Sequence, residues 1–155
     1  MTAPDHPNVI APPVAIHIGF LVLGVGAEYL WPSGAGVGGI FWYASGAAAI
    51  AAGLLLIVWA GLTFRSHGTR PEPWKPSTVV VDNGPYRFSR NPMYLGFSLV
   101  HVGVGIAADS IWIIATVVPS LVVMRYGVIE REERYMEAKF GETYLRYKRA
   151  VRRWL

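Results

Sequence analysis

The chain alternates long apolar runs with short polar breaks, a rhythm that fits membrane-spanning helices. From about Val9 to Leu30 nearly every residue is apolar, interrupted by His17 and Glu28. A run of that length crosses a hydrocarbon core of roughly 30 Å. Trp31-Pro32-Ser33-Gly34 and the glycines at 36, 38 and 39 then break the helix without contributing a Lys or Arg. A second uncharged run, Ile40 to Phe64, carries Ala44, Ala48 and Ala52, with Ser45, Ala49 and Gly53 beside them. Small side chains every fourth residue predict close helix packing on that face. Pro92 to Ala108 and Ser110 to Met124 are separated only by Asp109. They predict a tight helical hairpin with arms of roughly 22 to 26 Å, short for a full span, the second bent by Pro119. From Arg125 the composition turns to charge, predicting a separate polar helix that ends at Gly141 as its C-cap. Glu142 opens a last short helix. Its Tyr144, Tyr147 and Val151 can lie near the membrane while Arg146, Lys148, Arg149, Arg152 and Arg153 face headgroups.

Between the second and third runs lies Arg65 to Arg90, a loop rich in proline and basic residues that also carries Trp74, Tyr86 and Phe88. Loops this long are functional or disordered, and the aromatic content favours an ordered one. At 53% hydrophobic and 15% charged residues, with a mean hydropathy of +0.36, the chain is too apolar for an ordinary soluble domain. The expectation is an all-α polytopic membrane bundle, a single domain over residues 1–155, with about four transmembrane helices plus C-terminal interfacial ones. Cysteine is absent, which excludes disulfides, thiolate ligands and a cysteine nucleophile. All 14 Lys and Arg fall in the 65–90 loop or in the tail from Arg125. Next to apolar runs, that placement points to anionic lipid headgroups rather than nucleic acid, and it sets both termini and the loop on the cytoplasmic side. Met1 to Pro13 lacks a signal-peptide pattern and reads as a short retained tail.

Three stretches bear chemistry. Gly84 to Gly96 is a turn-rich loop running into a helix, with Asn91 placed to cap it and Pro92 at its first position. The helix start, with Arg87 and Arg90 just upstream, suits an anion, and it equally suits a basic juxtamembrane anchor. His101-Val102-Gly103-Val104-Gly105 opens bare backbone inside an apolar helix, for a ligand or for helix contact. Glu132 and Glu133, with Glu130, lie just past the last apolar run, where a solvated face is the plain alternative. No histidine pair has metal-ligand spacing, so no metal site is expected.

Gly84-Pro85-Tyr86-Arg87, Arg90-Asn91-Pro92-Met93-Tyr94-Leu95-Gly96, Gly103-x-Gly105, Glu132-Glu133, Phe140-Gly141-x3-Tyr144-x2-Tyr147 and the terminal Val151-Arg152-Arg153-Trp154 occur in this order. In order and spacing they resemble the integral membrane methyltransferases that include isoprenylcysteine carboxyl methyltransferase and the phosphatidylethanolamine N-methyltransferases. The resemblance covers roughly Phe64 to Leu155 and implies a cofactor-binding part there, with S-adenosylmethionine as cofactor and a lipid-borne or apolar acceptor. It implies that Gly103, Gly105, Glu132 and Glu133 contact the cofactor and that Arg90, Pro92 and Tyr94 close its pocket. Asn91 stands where many relatives have His. With that cofactor in view, Arg90 and the helix start at Asn91-Pro92 could hold the carboxylate, and a glutamate could take the ribose hydroxyls or the amino group. Tyr86, Tyr94 and Tyr135 could cover the ring or sulfonium. Arg90, Tyr94 and His101 are the catalytic candidates, His101 to orient the acceptor or take its proton. The alternatives are an NADPH-dependent sterol-type reductase, whose 2′-phosphate the acidic pair would repel, and a non-catalytic membrane scaffold.

Overall fold

The computed structural model describes residues 5–34, 38–69, 72 and 74–155; the loop glycine at 36 lies outside them. The bundle is helical, with no strand among the described residues. Its elements are α1 (Pro13–Leu30), α2 (Ile40–Ser66), a 3-10 turn (Gly84–Arg87), α3 (Pro92–Ala107), α4 (Ile111–Ala115), α5 (Val117–Met124), a π turn (Arg125–Ile129), α6 (Glu130–Phe140) and α7 (Glu142–Ala150). Among the described residues, three helices are long and apolar enough to cross a membrane: α1, α2 and a 30-residue helix from Ile111 to Phe140. The fourth, α3, is 16 residues long, about 24 Å.

The second hairpin arm is therefore not short. The expected break at Arg125 is absent, because the extra residue is absorbed by the π turn and α5 runs on into α6. At about 45 Å this continuous helix exceeds the hydrocarbon thickness, so its charged end, α6, projects beyond the membrane. Pro119 does interrupt the arm, three residues ahead of itself at Thr116, where α4 gives way to α5. A proline cannot donate to the carbonyl one turn earlier, and the ladder loosens there. Gly141 closes α6 at φ 53°, as its C-cap role requires.

α2 and α3 pack antiparallel along four glycines. A Cβ on Gly53 would stand 2.6 Å from the carbonyl oxygen of Gly96, and one on Gly103 would stand 2.8 Å from that of Gly46. Spaced seven apart on each helix, these glycines let the two backbones touch. The packing face is thus Gly46, Gly53 and Ala60, whereas Ala44, Ala48 and Ala52 are exposed. Of the small residues expected to pack, Gly53 lies on the seam, but the Ala44–Ala48–Ala52 stripe does not, since the closest backbone contact needs glycine and alanine still carries a Cβ. We expect Gly53→Ala to lose about 1 to 3 kcal/mol through overpacking, seen as a lower unfolding temperature in detergent, and Ala48→Leu to leave it unchanged. Equal melting of the two variants would remove the seam from the account.

At the far end of the bundle Glu28 explains the single acidic interruption of the first run. Its carboxylate accepts from Ser33 N–H (2.8 Å), Ser33 Oγ (2.5 Å) and Ser110 Oγ (2.5 Å), tying α1 to the α3–α4 turn. At the opposite end the N-terminal segment, the 65–90 loop and the C-terminal tail come together, so both ends of the described chain lie on one side. That end holds the cleft.

Candidate functional site

The cleft lies where α2 ends and α3 begins, beneath the 65–90 loop and against α6 and α7. It encloses about 830 Å³, its open mouth included. Phe64, Val79, Val80, Val81, Met93, Met136 and Ile129 make an apolar wall. Glu72, Arg90, Asn91, Glu132 and Glu133 supply the polar groups, and Tyr86, Tyr94, Tyr135, Tyr144 and Tyr147 the aromatic surface.

The two adjacent glutamates have opposite surroundings, because neighbours on a helix point about 100° apart. Glu133 is enclosed by cations: Arg90 Nη2 donates to Oε1 at 2.8 Å, Arg153 Nε to Oε1 at 3.0 Å and Arg153 Nη2 to Oε2 at 2.7 Å. Lys148 Nζ is 3.9 Å from Oε2. Burial opposes its ionisation, but Arg153, Arg90 and Lys148 outweigh burial and hold this carboxyl below the usual range. Glu132 accepts only from the Tyr94 hydroxyl, at 2.6 Å, and has no cation within ion-pair distance among the described residues. Burial pushes its pKa up to about 7, partly offset by the Tyr94 hydrogen bond and reinforced by the charge of Glu133. One carboxylate is consumed by the fold; the other stands ready.

Arg90 is largely committed as well. Besides Glu133, its guanidinium donates through Nη1 to the Lys148 carbonyl at 3.0 Å, and its backbone N–H goes to Arg152 O at 2.9 Å. Its Nε is left buried and without a partner among the described residues, as is Oε2 of Glu72, which also lines the cleft. Asn91 precedes α3 as expected, but its side chain does not cap the helix. Its Nδ2 donates to the Arg153 carbonyl at 2.9 Å, the same oxygen that Ser89 Oγ reaches at 3.3 Å. The C-terminal tail is thereby pinned across the start of α3. Tyr147 donates to the Tyr86 carbonyl at 2.8 Å, and Tyr86 meets Phe64 edge-on at 4.9 Å between ring centres. Burial holds the phenols of Tyr86, Tyr144 and Tyr147 above their usual range, so they stay neutral.

Of the residues singled out from sequence, Tyr86, Arg90, Asn91, Tyr94, Glu132, Glu133 and Tyr135 line the cleft. Four do not. Pro92 is buried at the helix start, and Gly103 sits in the α2 seam. Gly105 faces α4, where a Cβ would meet Ile114 Cγ1 at 2.6 Å. The bare glycine backbone is covered by helices, so the expected patch for a cofactor is not open. His101, 1% exposed, lies two turns deeper on α3, its Nε2 3.2 Å from Thr116 Oγ1 and its ring 5.8 Å from that of His17. Arg153, Lys148 and Glu72 were not among the expected site residues. The terminal Val151-Arg152-Arg153-Trp154 pattern was the available signal for Arg153, but a run of basic residues at a membrane reads first as a headgroup contact.

No solved structure matches this chain. An uncharacterized protein of Haemophilus influenzae is 54% identical over 35 residues, which is 23% of this chain and 56% of that protein. The chain thus spans little more than half the length of that curated relative. The profile of the family described as phospholipid methyltransferase matches residues 41–143, from the start of α2 through the 65–90 loop, α3, the long helix and into α7. That span holds both carboxylates, Arg90 and most of the cleft wall, and on this match the chain belongs to the phospholipid methyltransferase family.

Proposed function

We propose that this protein is an S-adenosylmethionine-dependent methyltransferase acting on a lipid-borne or apolar acceptor at the membrane, with the cofactor held in the cleft. The observation that carries this reading is Glu132, a half-buried carboxylate lining an aromatic cleft, with a single hydroxyl partner among the described residues. The two orphaned atoms, Arg90 Nε and Glu72 Oε2, supply a donor for a carboxylate and an acceptor for an ammonium or hydroxyl, which fits an amino acid nucleoside. Bound there, the cofactor would supply an electrophilic methyl group on a sulfonium, and transfer from it is a direct displacement governed by alignment. Glu132 accepts ribose hydroxyls or the amino group, Tyr94 orients Glu132, and the neutral phenols and Phe64 offer π faces to a cation while keeping water out. Glu133 works through others: it fixes Arg90 and the tail. By the distribution of Lys and Arg, the end bearing the cleft and both termini is cytoplasmic.

Titration calorimetry of the detergent-solubilised protein tests the assignment. S-adenosylmethionine and S-adenosylhomocysteine are expected to bind and NADPH not to; binding of NADPH alone would overturn the proposal. Glu132→Gln should weaken S-adenosylmethionine at least tenfold, the loss of a charge-assisted bond being about 1.5 to 3 kcal/mol.

The raised pKa of Glu132 adds a pH signature. Its proton must leave before the carboxylate can accept two hydrogen bonds, so affinity rises as pH increases towards about 7 and levels off above it. Without ligand the sign for stability is opposite. The folded state holds this proton more tightly than the unfolded chain does, so the Glu132 contribution declines from the ordinary carboxylate range up to about pH 7. Calorimetry and melting curves between pH 5 and 8 should therefore run in opposite directions, and Glu132→Gln should flatten both.

A further inference from the structure

Residues 5–11 do not trail away from α1 but run along the long helix. Gly127, Arg131, Tyr135 and Lys139 recur every fourth residue and form one stripe on that helix. Each meets the N-terminal segment in turn. Ile10 N–H donates to the Gly127 carbonyl at 3.1 Å, within the π turn, where carbonyls fall out of the regular ladder. The Ile10 side chain fills the place of a Cβ: one added at Gly127 would stand 2.3 Å from Ile10 Cδ1. Arg131 Nη1 donates to the Asn8 carbonyl at 2.7 Å. Asp5 Oδ1 accepts from Tyr135 OH at 3.0 Å and from Lys139 Nζ at 2.6 Å.

This strap reaches the cleft. Pro7 is part of its lining, and Val9 and Ala11 pack over the cluster that contains Ile129 and Tyr94, both cleft residues. Ile129, within that cluster, is 0% exposed. Tyr135 OH also receives the Ser77 N–H at 3.2 Å, so the strap and the 65–90 loop close on one phenol. The fastenings are light: one backbone bond, one arginine contact, the Tyr135 hydrogen bond to Asp5 and an exposed ion pair, with no helix or strand within the segment. Segments with few buried contacts open at far lower free energy than the core they cover.

We propose that residues 5–11 are a gate over the cleft, which lifts from the 127–131–135–139 stripe to admit and release a soluble cofactor and lies down to exclude water. The inference rests on the cofactor reading of the cleft. The strap, not the bundle, sets the rate at which the cleft communicates with the aqueous phase.

The chain's lack of cysteine makes the test direct. Ile129→Cys is labelled with a water-soluble maleimide in three backgrounds: the parent, Gly127→Ala, which displaces Ile10, and Arg131→Ala with Lys139→Ala, which removes two fastenings. Labelling is expected to be at least tenfold faster in both loosened backgrounds than in the parent, and to slow when S-adenosylhomocysteine is present. The paired surface substitutions keep the test intact where a methyl at Gly127 disturbs the helix itself. Equal rates in all backgrounds that elute as folded protein would overturn the gate. Faster labelling in the loosened backgrounds, with no effect of S-adenosylhomocysteine in any of them, would keep the strap as the closure of the cleft while rejecting the cofactor reading.

Discussion

Glu133→Ala is expected to prevent stable folding, whereas Glu132→Gln, one residue away, is expected to yield a well-folded protein with impaired ligand binding. Removing Glu133 leaves Arg90 and Arg153 facing each other with Lys148 nearby; Arg153 keeps Glu130 at 3.7 Å and Lys148 keeps Glu137, but the largely buried Arg90 keeps no carboxylate partner among the described residues. Breaking a buried pair by deleting one partner typically costs about 3 to 5 kcal/mol, a large share of the roughly 5 to 15 kcal/mol that stabilises a domain. The damage spreads, because Arg90 and Arg153 also carry the bonds that fasten the C-terminal tail across α3. Size-exclusion profiles and melting curves in detergent provide the measurement. Adding Arg153→Ala to Glu133→Ala should recover part of the loss, since one stranded cation is gone. A monodisperse Glu133→Ala with the parent melting temperature would show that the cluster does not hold the tail, and the division of labour between the two glutamates would fall with it.

That division was not legible in the sequence, where Glu132 and Glu133 are equivalent members of an acidic pair. What separates them is the partner each meets 40 or so positions away in the chain, Tyr94 for one and Arg90 for the other, and no local pattern encodes those pairings. Elements written in local chemistry were readable. The span from Ile40, the opening of α3 at Pro92 and the closure of α6 at Gly141 all follow from hydrophobic runs, a proline at N1 and a glycine at positive φ. The continuity of the long helix through Arg125 was not readable, because a change in composition marks where a helix leaves the membrane and not where it stops. Gly103 and Gly105 show the same limit. Their sequence says that something approaches the backbone closely, and only the fold says that the visitors are α2 and α4. The N-terminal segment gave no signal, since its contacts with Gly127, Arg131, Tyr135 and Lys139 span more than 115 positions.

Methyl transfer should fall steeply as the acceptor's hydrocarbon chain is shortened. The apolar wall of the cleft is built where α2 ends and α3 begins, from Phe64 and Met93 with Val81 and Tyr86 behind them, at the boundary of the membrane-crossing segments. On the aqueous side the cleft is bounded instead by the strap, the 65–90 loop and α7. A charged cofactor is excluded from hydrocarbon by several kcal/mol, so it must come from the aqueous side. An acceptor that partitions into the bilayer gains about 0.8 kcal/mol for each methylene kept there and reaches the wall from the membrane. Removing four methylenes should therefore cost about 3 kcal/mol, roughly two orders of magnitude in turnover at equal subsaturating bulk concentration. The measurement is methyl transfer in liposomes to matched amines, thiols and carboxylates that differ only in chain length. Because the headgroup series varies the nucleophile and the chain series varies the partitioning, the two effects separate in one experiment. Turnover independent of chain length, or highest for a freely water-soluble acceptor, would reject access from the bilayer and place both reactants on the aqueous side, while leaving the cleft as the seat of the cofactor.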